Sequence, residues 1–469
     1  MALEKPPEQD IVIIGATGDL ARRKLLPALY NLFLRDLLCE GRIVGVARSE
    51  WTDADFRARA LEAVREFGPL EFDDRVWQRF AERLTYVPAG EDIGRALGRT
   101  SAGRRLVYLA VPPSSFEAQV EALGGVGVDG GMSIIVEKPF GRDLASARAL
   151  NAVLRRYFDE SQVFRIDHYL GKETVQNILV LRFGNSIFER VWNRDAIDHV
   201  QLTIAEDIGI EGRGSFYEET GALRDIIQNH ALQVLSLLAM EPPVAFNAEA
   251  IRDEKAKVFA ALLPVLPGDV VRGQYSRAVI DGRDVAGYLD EPGVSATSTT
   301  ETFAALRVEI DNWRWSGVPF YVRAGKRLPR RDTEISIAFR DVPKHFFEEM
   351  QCGDLPPNLL RIEIQPEESV KLSILAKVPG PEIEVKPVTM EFRYGDSFMG
   401  QPQEAYERLI YDALCGDHTL FARADAVERC WEVLQPVLDR LPAIRYYPAG
   451  TWGPKEADAL IAPRQWYLH

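Results

Sequence analysis

The strongest constraint on the fold is the order of the first segments. A short β-branched run, Ile11-Val-Ile-Ile14, breaks at Gly15-Ala-Thr-Gly18-Asp19-Leu20, and apolar residues then recur at i, i+3, i+4 over 27–38. This pattern predicts strand, tight turn and helix. Further short strands are expected at 43–47, at 106–111 before Pro112-Pro113, and at 133–136 before Glu137-Lys-Pro139. Strands apolar on both faces, alternating with amphipathic helices, predict a doubly wound parallel sheet over 1–165. From about residue 195 the runs at 199–205, 359–365, 370–377 and 388–392 alternate with period two, the pattern of antiparallel strands with one covered face. Helical blocks at 221–240 and 404–438 are expected to supply that cover, with a Ser/Thr-rich loop at 293–300. The expected class is therefore α/β plus α+β: a Rossmann-like dinucleotide-binding domain, 1–165, followed by a larger substrate-binding and dimerisation domain, 166–469, with a mainly antiparallel sheet.

Length and charge narrow the function. A chain of 469 residues accommodates two or three domains, and 56 Lys+Arg against 70 Asp+Glu leave a net charge of −14, which disfavours nucleic acid and anionic membranes as partners. Cys39, Cys352, Cys415 and Cys430 form no C-x-x-C pair, so neither a metal cluster nor a disulfide framework is expected, and a reducing cytoplasm is the simplest setting. The polar N-terminus and the lack of an apolar run near ~18 residues predict neither secretion signal nor anchor.

The glycine turn places Gly15, Thr17, Gly18, Asp19 and Leu20 where a strand meets a helix N-terminus, a position suited to a dinucleotide phosphate. Its G-x-x-G spacing departs from the usual fingerprint, and a tight turn without a ligand needs similar glycines. The second strand ends at Arg48, where an NAD site usually carries a carboxylate. A cation there suits a 2′-phosphate and favours NADP, with a solvated surface arginine as the alternative. Lys138, before Pro139 at a strand's C-terminal end, is either a ligand-side lysine or a solvated loop lysine. The run Arg165-Ile-Asp167-His168-Tyr169-Leu-Gly-Lys172 gathers a carboxylate, an imidazole, a phenol and an ammonium. If it is helical, His168 and Lys172 share a face, and the cluster suits a phosphate. A solvated polar helix start is the plainer reading. His230 falls within the apolar stripe of 221–240, as a core histidine or as a base withdrawn from water, with Asp225, Gln228 and Asn229 crowding the same turns.

With Gly15-Ala-Thr-Gly-Asp-Leu-Ala-Arg-Arg-Lys24, Glu137-Lys-Pro-Phe-Gly141, Arg165 to Glu173, Asp225-Ile-Ile-Gln-Asn-His230 and Arg323-Ala-Gly-Lys-Arg-Leu328 in this order, the chain resembles the glucose-6-phosphate dehydrogenase family from end to end, including 402–425 and Gly450-Thr-Trp-Gly-Pro454. The resemblance implies oxidation of the C1 hydroxyl of β-D-glucose 6-phosphate to 6-phospho-D-glucono-1,5-lactone, the first step of the oxidative pentose phosphate pathway. It implies His230 as the base and Asp167 as the carboxylate that holds it. It further implies His168, Tyr169 and Lys172 on the sugar phosphate, with Glu206, Asp225 and Lys326 on the sugar. Lys24, Lys138 and Arg331, the last beside Arg330, fall at substrate-side cationic positions. On the cofactor side the matches are Gly15, Thr17, Gly18, Asp19, Leu20, Arg48 and Lys138, with NADP preferred and NAD as a weaker alternative. A homodimer or a dimer of dimers is the assembly the family implies. Two rivals differ in what they require: a related sugar oxidoreductase with a Glu-Lys-Pro lysine as acid/base, or a dinucleotide-sensing regulator with a damaged base or phosphate pocket.

Overall fold

The computed structural model describes residues 4–68, 72–88, 94, 97, 103–128, 130–343, 355–397 and 404–467; Cys352 and Pro402 lie outside them. The chain divides into two compact units. The first comprises Met1–Glu173, Pro243–Asp253 and Pro402–Glu428; the second comprises Thr174–Pro242, Glu254–Gln401 and Arg429–His469.

In the first unit, strands β1 (Asp10–Ile14), β2 (Ile43–Ala47), β3 (Leu84–Pro88), β4 (Arg105–Leu109), β5 (Met132–Val136) and β6 (Val163–Ile166) are all parallel, in the order β6-β5-β4-β1-β2-β3. Every residue of β1 and β2 is buried, as a sheet covered on both faces requires. The order reverses between β1 and β4, so the crevice beyond their C-terminal ends is the topological switch point where open α/β sheets take their ligands. The first helix begins as a π-helix, Ala21–Leu25, and continues as Leu26–Leu34, four residues short of the expected end. Asp36 adopts φ 57° just beyond, a left-handed conformation that a continuing helix cannot use. The expected block 404–438 is also broken. Ala405–Cys415 stops at Gly416, left-handed at φ 75°, and Phe421–Ala422 then adds an antiparallel strand beside β6 before the helix Ala424–Asp439. Its first part thus belongs to the parallel-sheet unit.

The second unit is built on a nine-stranded sheet in the order Val385–Arg393, Ser369–Lys377, Leu359–Gln365, Asp332–Phe339, Ile197–Ala205, Phe320–Gly325, Phe303–Val308, Val270–Ser276, Ile444–Pro448. Neighbours run antiparallel except for Ile197–Ala205 with Phe320–Gly325 and Val270–Ser276 with Ile444–Pro448, which are parallel. Alternation in the central strand predicted one covered face, but Ile197–Ala205 is buried on both apart from Asp198. The C-terminal segment covers its polar side: Gln201 donates to the Gln465 carbonyl (2.8 Å) and accepts from the Tyr467 N–H (2.9 Å), and His199 stacks on Tyr467. Arg323 donates to Thr203 (2.9 Å) while its guanidinium lies over the Trp452 and Trp466 rings. Gln201 and Thr203 are tolerated in this buried setting because they find partners. At the far edge, Val385–Arg393 is largely exposed.

Candidate active site

The first unit gathers its candidate groups at strand ends. Gly15 follows β1 with φ 94°, and a Cβ there would lie 2.2 Å from the Ala110 carbonyl oxygen beyond β4. Only glycine fits this close approach at the switch point. The N–H groups of Gly15 and Ala16 donate to the Val46 carbonyl and that of Gly18 to Gly15, so the turn is closed by its own hydrogen bonds. Thr17, Asp19 and Leu20 then stand at the helix start, where first-turn N–H groups lack intrahelical acceptors. Arg48 is exposed directly after β2. Lys24 is exposed as well and is paired with Glu404 at 2.7 Å.

Lys138 is half-buried, and its bond to Pro139 is cis. The preceding Glu137 accepts a hydrogen bond from the Tyr108 hydroxyl, and desolvation raises its carboxyl above the usual range while Tyr108 and Lys138 oppose the rise. After β6 the chain turns rather than coils: the Asp167 carboxylate accepts the Tyr169 N–H (2.9 Å), and the Leu170 and Lys172 N–H groups donate to the Asp167 and Tyr169 carbonyls. An aspartate competing for nearby backbone N–H favours such a turn, and the helix begins only at Glu173. His168 and Lys172 therefore do not share a helical face. The turn nevertheless gathers the predicted cluster, with the Lys172 ammonium 4.7 Å from the Tyr169 ring centre and the His168 ring 5.0 Å from it. Asp167 and Tyr169 are buried and His168 is partly so, while Tyr406 stacks near His168.

The second unit gathers side chains. His230 is fully buried on a π-helical stretch, Leu223–Ala231, which the sequence pattern predicts as ordinary helix. Five positions along an α-helix turn through about 140° net, whereas the i→i+5 closure of a π-helix sets such residues one turn apart. Asp225 and His230 are spaced in this way. Lys326, buried at the end of Phe320–Gly325, donates to the Glu206 carboxylate at 2.5 Å. Reciprocal backbone bonds hold this pair: Glu206 N–H to Gly325, and Leu328 N–H to Glu206. Tyr217, which no spacing in the sequence singles out, lies under the Lys326 ammonium (5.3 Å to the ring centre). Burial, then the negative charges of Asp225, Glu206 and Glu301, hold its phenol well above the usual range. Arg331 is exposed and donates to Gln365, while Arg330 pairs with Asp332, so neither joins the Lys326 pair directly.

A parallel sheet with a glycine turn at its switch point, joined in one chain to a sheet domain carrying a buried histidine and a buried lysine bound to a glutamate, points to the class of nicotinamide-dinucleotide oxidoreductases with a separate substrate domain. Sequence models for the glucose-6-phosphate dehydrogenase NAD-binding domain and C-terminal domain match residues 12–177 and 179–467. Glucose-6-phosphate 1-dehydrogenase of Aggregatibacter actinomycetemcomitans is 47% identical over 96% of this chain and 95% of its own. The crystal structure of glucose-6-phosphate 1-dehydrogenase from Mycobacterium avium superposes with a TM-score of 0.88 at 42% identity over 99% of both chains. A glucose-6-phosphate dehydrogenase in complex with glucose 6-phosphate does so with 0.90 at 37% identity over the full length of both. The chain belongs to the glucose-6-phosphate dehydrogenase family. It is an oxidoreductase of that family, whose reaction takes the C1 hydroxyl of glucose 6-phosphate to the lactone with a nicotinamide cofactor as acceptor. No described helix is long and apolar enough to cross a membrane.

Proposed function

We propose that His230 is the base that removes the C1 hydroxyl proton of glucose 6-phosphate in an NADP-dependent reaction, and that Asp167 orients it. The observation that carries the assignment is the complete burial of His230 on a π-helical stretch that sets Asp225 one turn away. A buried imidazole takes up a proton at neutral pH only if a carboxylate offsets the cost of its charge, the part assigned to Asp167. His168, Tyr169 and Lys172 bind the sugar phosphate through a point charge and hydrogen-bond donors. Glu206, Asp225 and Lys326 bind the sugar hydroxyls, with Lys24, Lys138 and Arg331 as outer cationic groups.

The Gly15 cradle and the open helix start fit a dinucleotide, which when bound supplies the hydride acceptor. Thr17, Asp19 and Leu20 would meet its phosphates, Arg48 a 2′-phosphate, and Lys138 the substrate side of the cofactor; NAD is the weaker alternative. Residues 1–165 act as the dinucleotide-binding domain and 166–469 as the substrate-binding and dimerisation domain. Val388 and Met390, 44% and 53% exposed on one face of the edge strand, favour a homodimer or a dimer of dimers through this sheet. The cytoplasm suits its cysteines, of which Cys39, Cys415 and Cys430 are unbridged.

The test is steady-state kinetics of His230→Asn. It should lower kcat by about 10²–10⁴-fold with a much smaller change in KM, as loss of a general base does. A variant with near-normal kcat would remove His230 from this role.

A further inference from the structure

The helix that carries His230 is held at both ends by buried side chains outside the proposed substrate groups. At its start Gly221 adopts φ 62°, and the next two N–H groups, of Ala222 and Leu223, donate to the carbonyl and carboxylate of Glu301 at 3.0 and 3.2 Å. Glu301 is itself gripped by Arg272, whose Nε and Nη2 lie 2.9 and 2.7 Å from its carboxylate. A Cβ on Gly221 would come within 2.4 Å of that carboxylate, so the close approach requires glycine.

The far end is more completely held. After Leu232–Ala239 the helix stops at Met240, leaving the carbonyls of Leu237, Leu238, Ala239 and Met240 beyond the last intrahelical bond. All four are taken by side chains: Arg182 donates to Leu237 (3.0 Å) and Met240 (2.8 Å), Trp192 to Leu238 (2.8 Å) and Trp315 to Ala239 (2.8 Å). The three donors are all buried to within 1%. Burial pulls the Arg182 guanidinium down to about 10, which leaves it charged at neutral pH, with Glu189 beside it. A carboxylate at the N-terminal end and a guanidinium at the C-terminal end both oppose the helix dipole favourably.

Stability alone does not call for this arrangement. A glycine stop or solvent ordinarily meets helix-end carbonyls, whereas burying an arginine to do so carries a desolvation cost. Four directional bonds fix both the rotation and the axial position of the helix, and the rotation sets where the imidazole of His230 points.

We propose that Arg182, with Trp192 and Trp315, and the Glu301–Arg272 pair are positioning residues that lock the orientation of His230; the proposal rests on the reading of His230 as the base. The test is a double-mutant cycle pairing Arg182→Lys, which keeps the charge but loses the two-pronged donor, with His230→Asn. Trp315→Phe, which removes only an N–H, is the second, milder probe should Arg182→Lys fail to fold. Folding is checked by near-ultraviolet circular dichroism, and rates are taken well below the melting temperature. In the otherwise native enzyme Arg182→Lys should lower kcat about 10²-fold, and Trp315→Phe several-fold, with KM for glucose 6-phosphate and for NADP within about threefold, because a misplacement near 1 Å weakens chemistry far more than binding. In the His230→Asn background the same substitutions should lower kcat by less than about twofold, since the group they position is gone. Equal losses in both backgrounds, or a loss confined to KM, would overturn the positioning role while leaving the base in place. A near-normal His230→Asn single variant would instead overturn the base, and with it the premise.

Discussion

Arg48 lies exposed at the rim of the parallel sheet, whereas Lys326 lies buried in the mixed sheet and bound to Glu206. In the reading proposed above, the first unit meets the dinucleotide through main-chain shape at Gly15 and an exposed charge at Arg48. In the second unit Lys326 is taken out of water and paired in advance with a partly exposed Glu206. A charge in water can be replaced with little effect on folding, so the cofactor preference proposed for Arg48 is a property that single substitutions can change. A buried lysine held by a carboxylate couples its proposed role on the sugar to stability, so substitutions at Lys326 or Glu206 carry a cost to the fold.

Glu206→Ala should sharpen that contrast most. It strands the Lys326 ammonium, 3% exposed, without its carboxylate, and unfolding in urea should show a loss of about 3 kcal/mol. Exposed Arg48→Ala should show almost none; equal losses would break the comparison. Lys172→Ala comes next, because a charge-assisted contact of about 1.5–3 kcal/mol predicts a KM for glucose 6-phosphate raised about 10–100-fold. Efficiency with free glucose should fall much less, and parallel losses on both sugars would deny the phosphate contact. Arg48→Ala should then weaken NADP by several-fold to about tenfold without affecting NAD, in keeping with an exposed ion pair worth about 1 kcal/mol. Identical losses with the two cofactors would contradict its assignment.

A separate effect, on stability and outside the comparison of sites, is one of pH. Burial lifts the Glu334 carboxyl from 4.5 to about 7 on the central sheet, with Ser336 donating to it. Its folded pKa lies above the unfolded one, so the native state binds the extra proton, and stability should decline as pH rises from about 4.5 to about 7 and then level off. Glu334→Gln should remove that decline, on the order of 2 kcal/mol, in melting temperatures taken at pH 5 and pH 8. A variant that declines as the parent does would place the titration elsewhere.

Much of this was legible in the sequence, for identifiable reasons. β1, β2 and the glycine turn announce themselves because a strand covered on both faces must be apolar throughout and a switch-point turn must spare a Cβ. His230 was legible as a histidine within an apolar stripe. Its π-helical setting was not, since five-residue closure leaves no mark in a 3.6-residue pattern. Gln201 and Thr203 read as solvent-facing and are buried, because the cover comes from a tail more than 250 residues later, through Gln465 and Tyr467. Tyr217, Glu301 and Arg182 gave no local signal; their partners are set by tertiary contacts. The turn at Asp167 could have been read from its own side chain, an aspartate two residues before the N–H it accepts.

The most direct measurement follows the near-ultraviolet absorbance of reduced nicotinamide with glucose 6-phosphate and either NADP or NAD, with free glucose as the control. Rapid reduction with NADP and the phosphorylated sugar, slower with NAD and near zero with free glucose, is the predicted result. Comparable rates with free glucose and glucose 6-phosphate would contradict the phosphate site, and reduction of NAD alone would contradict the role of Arg48.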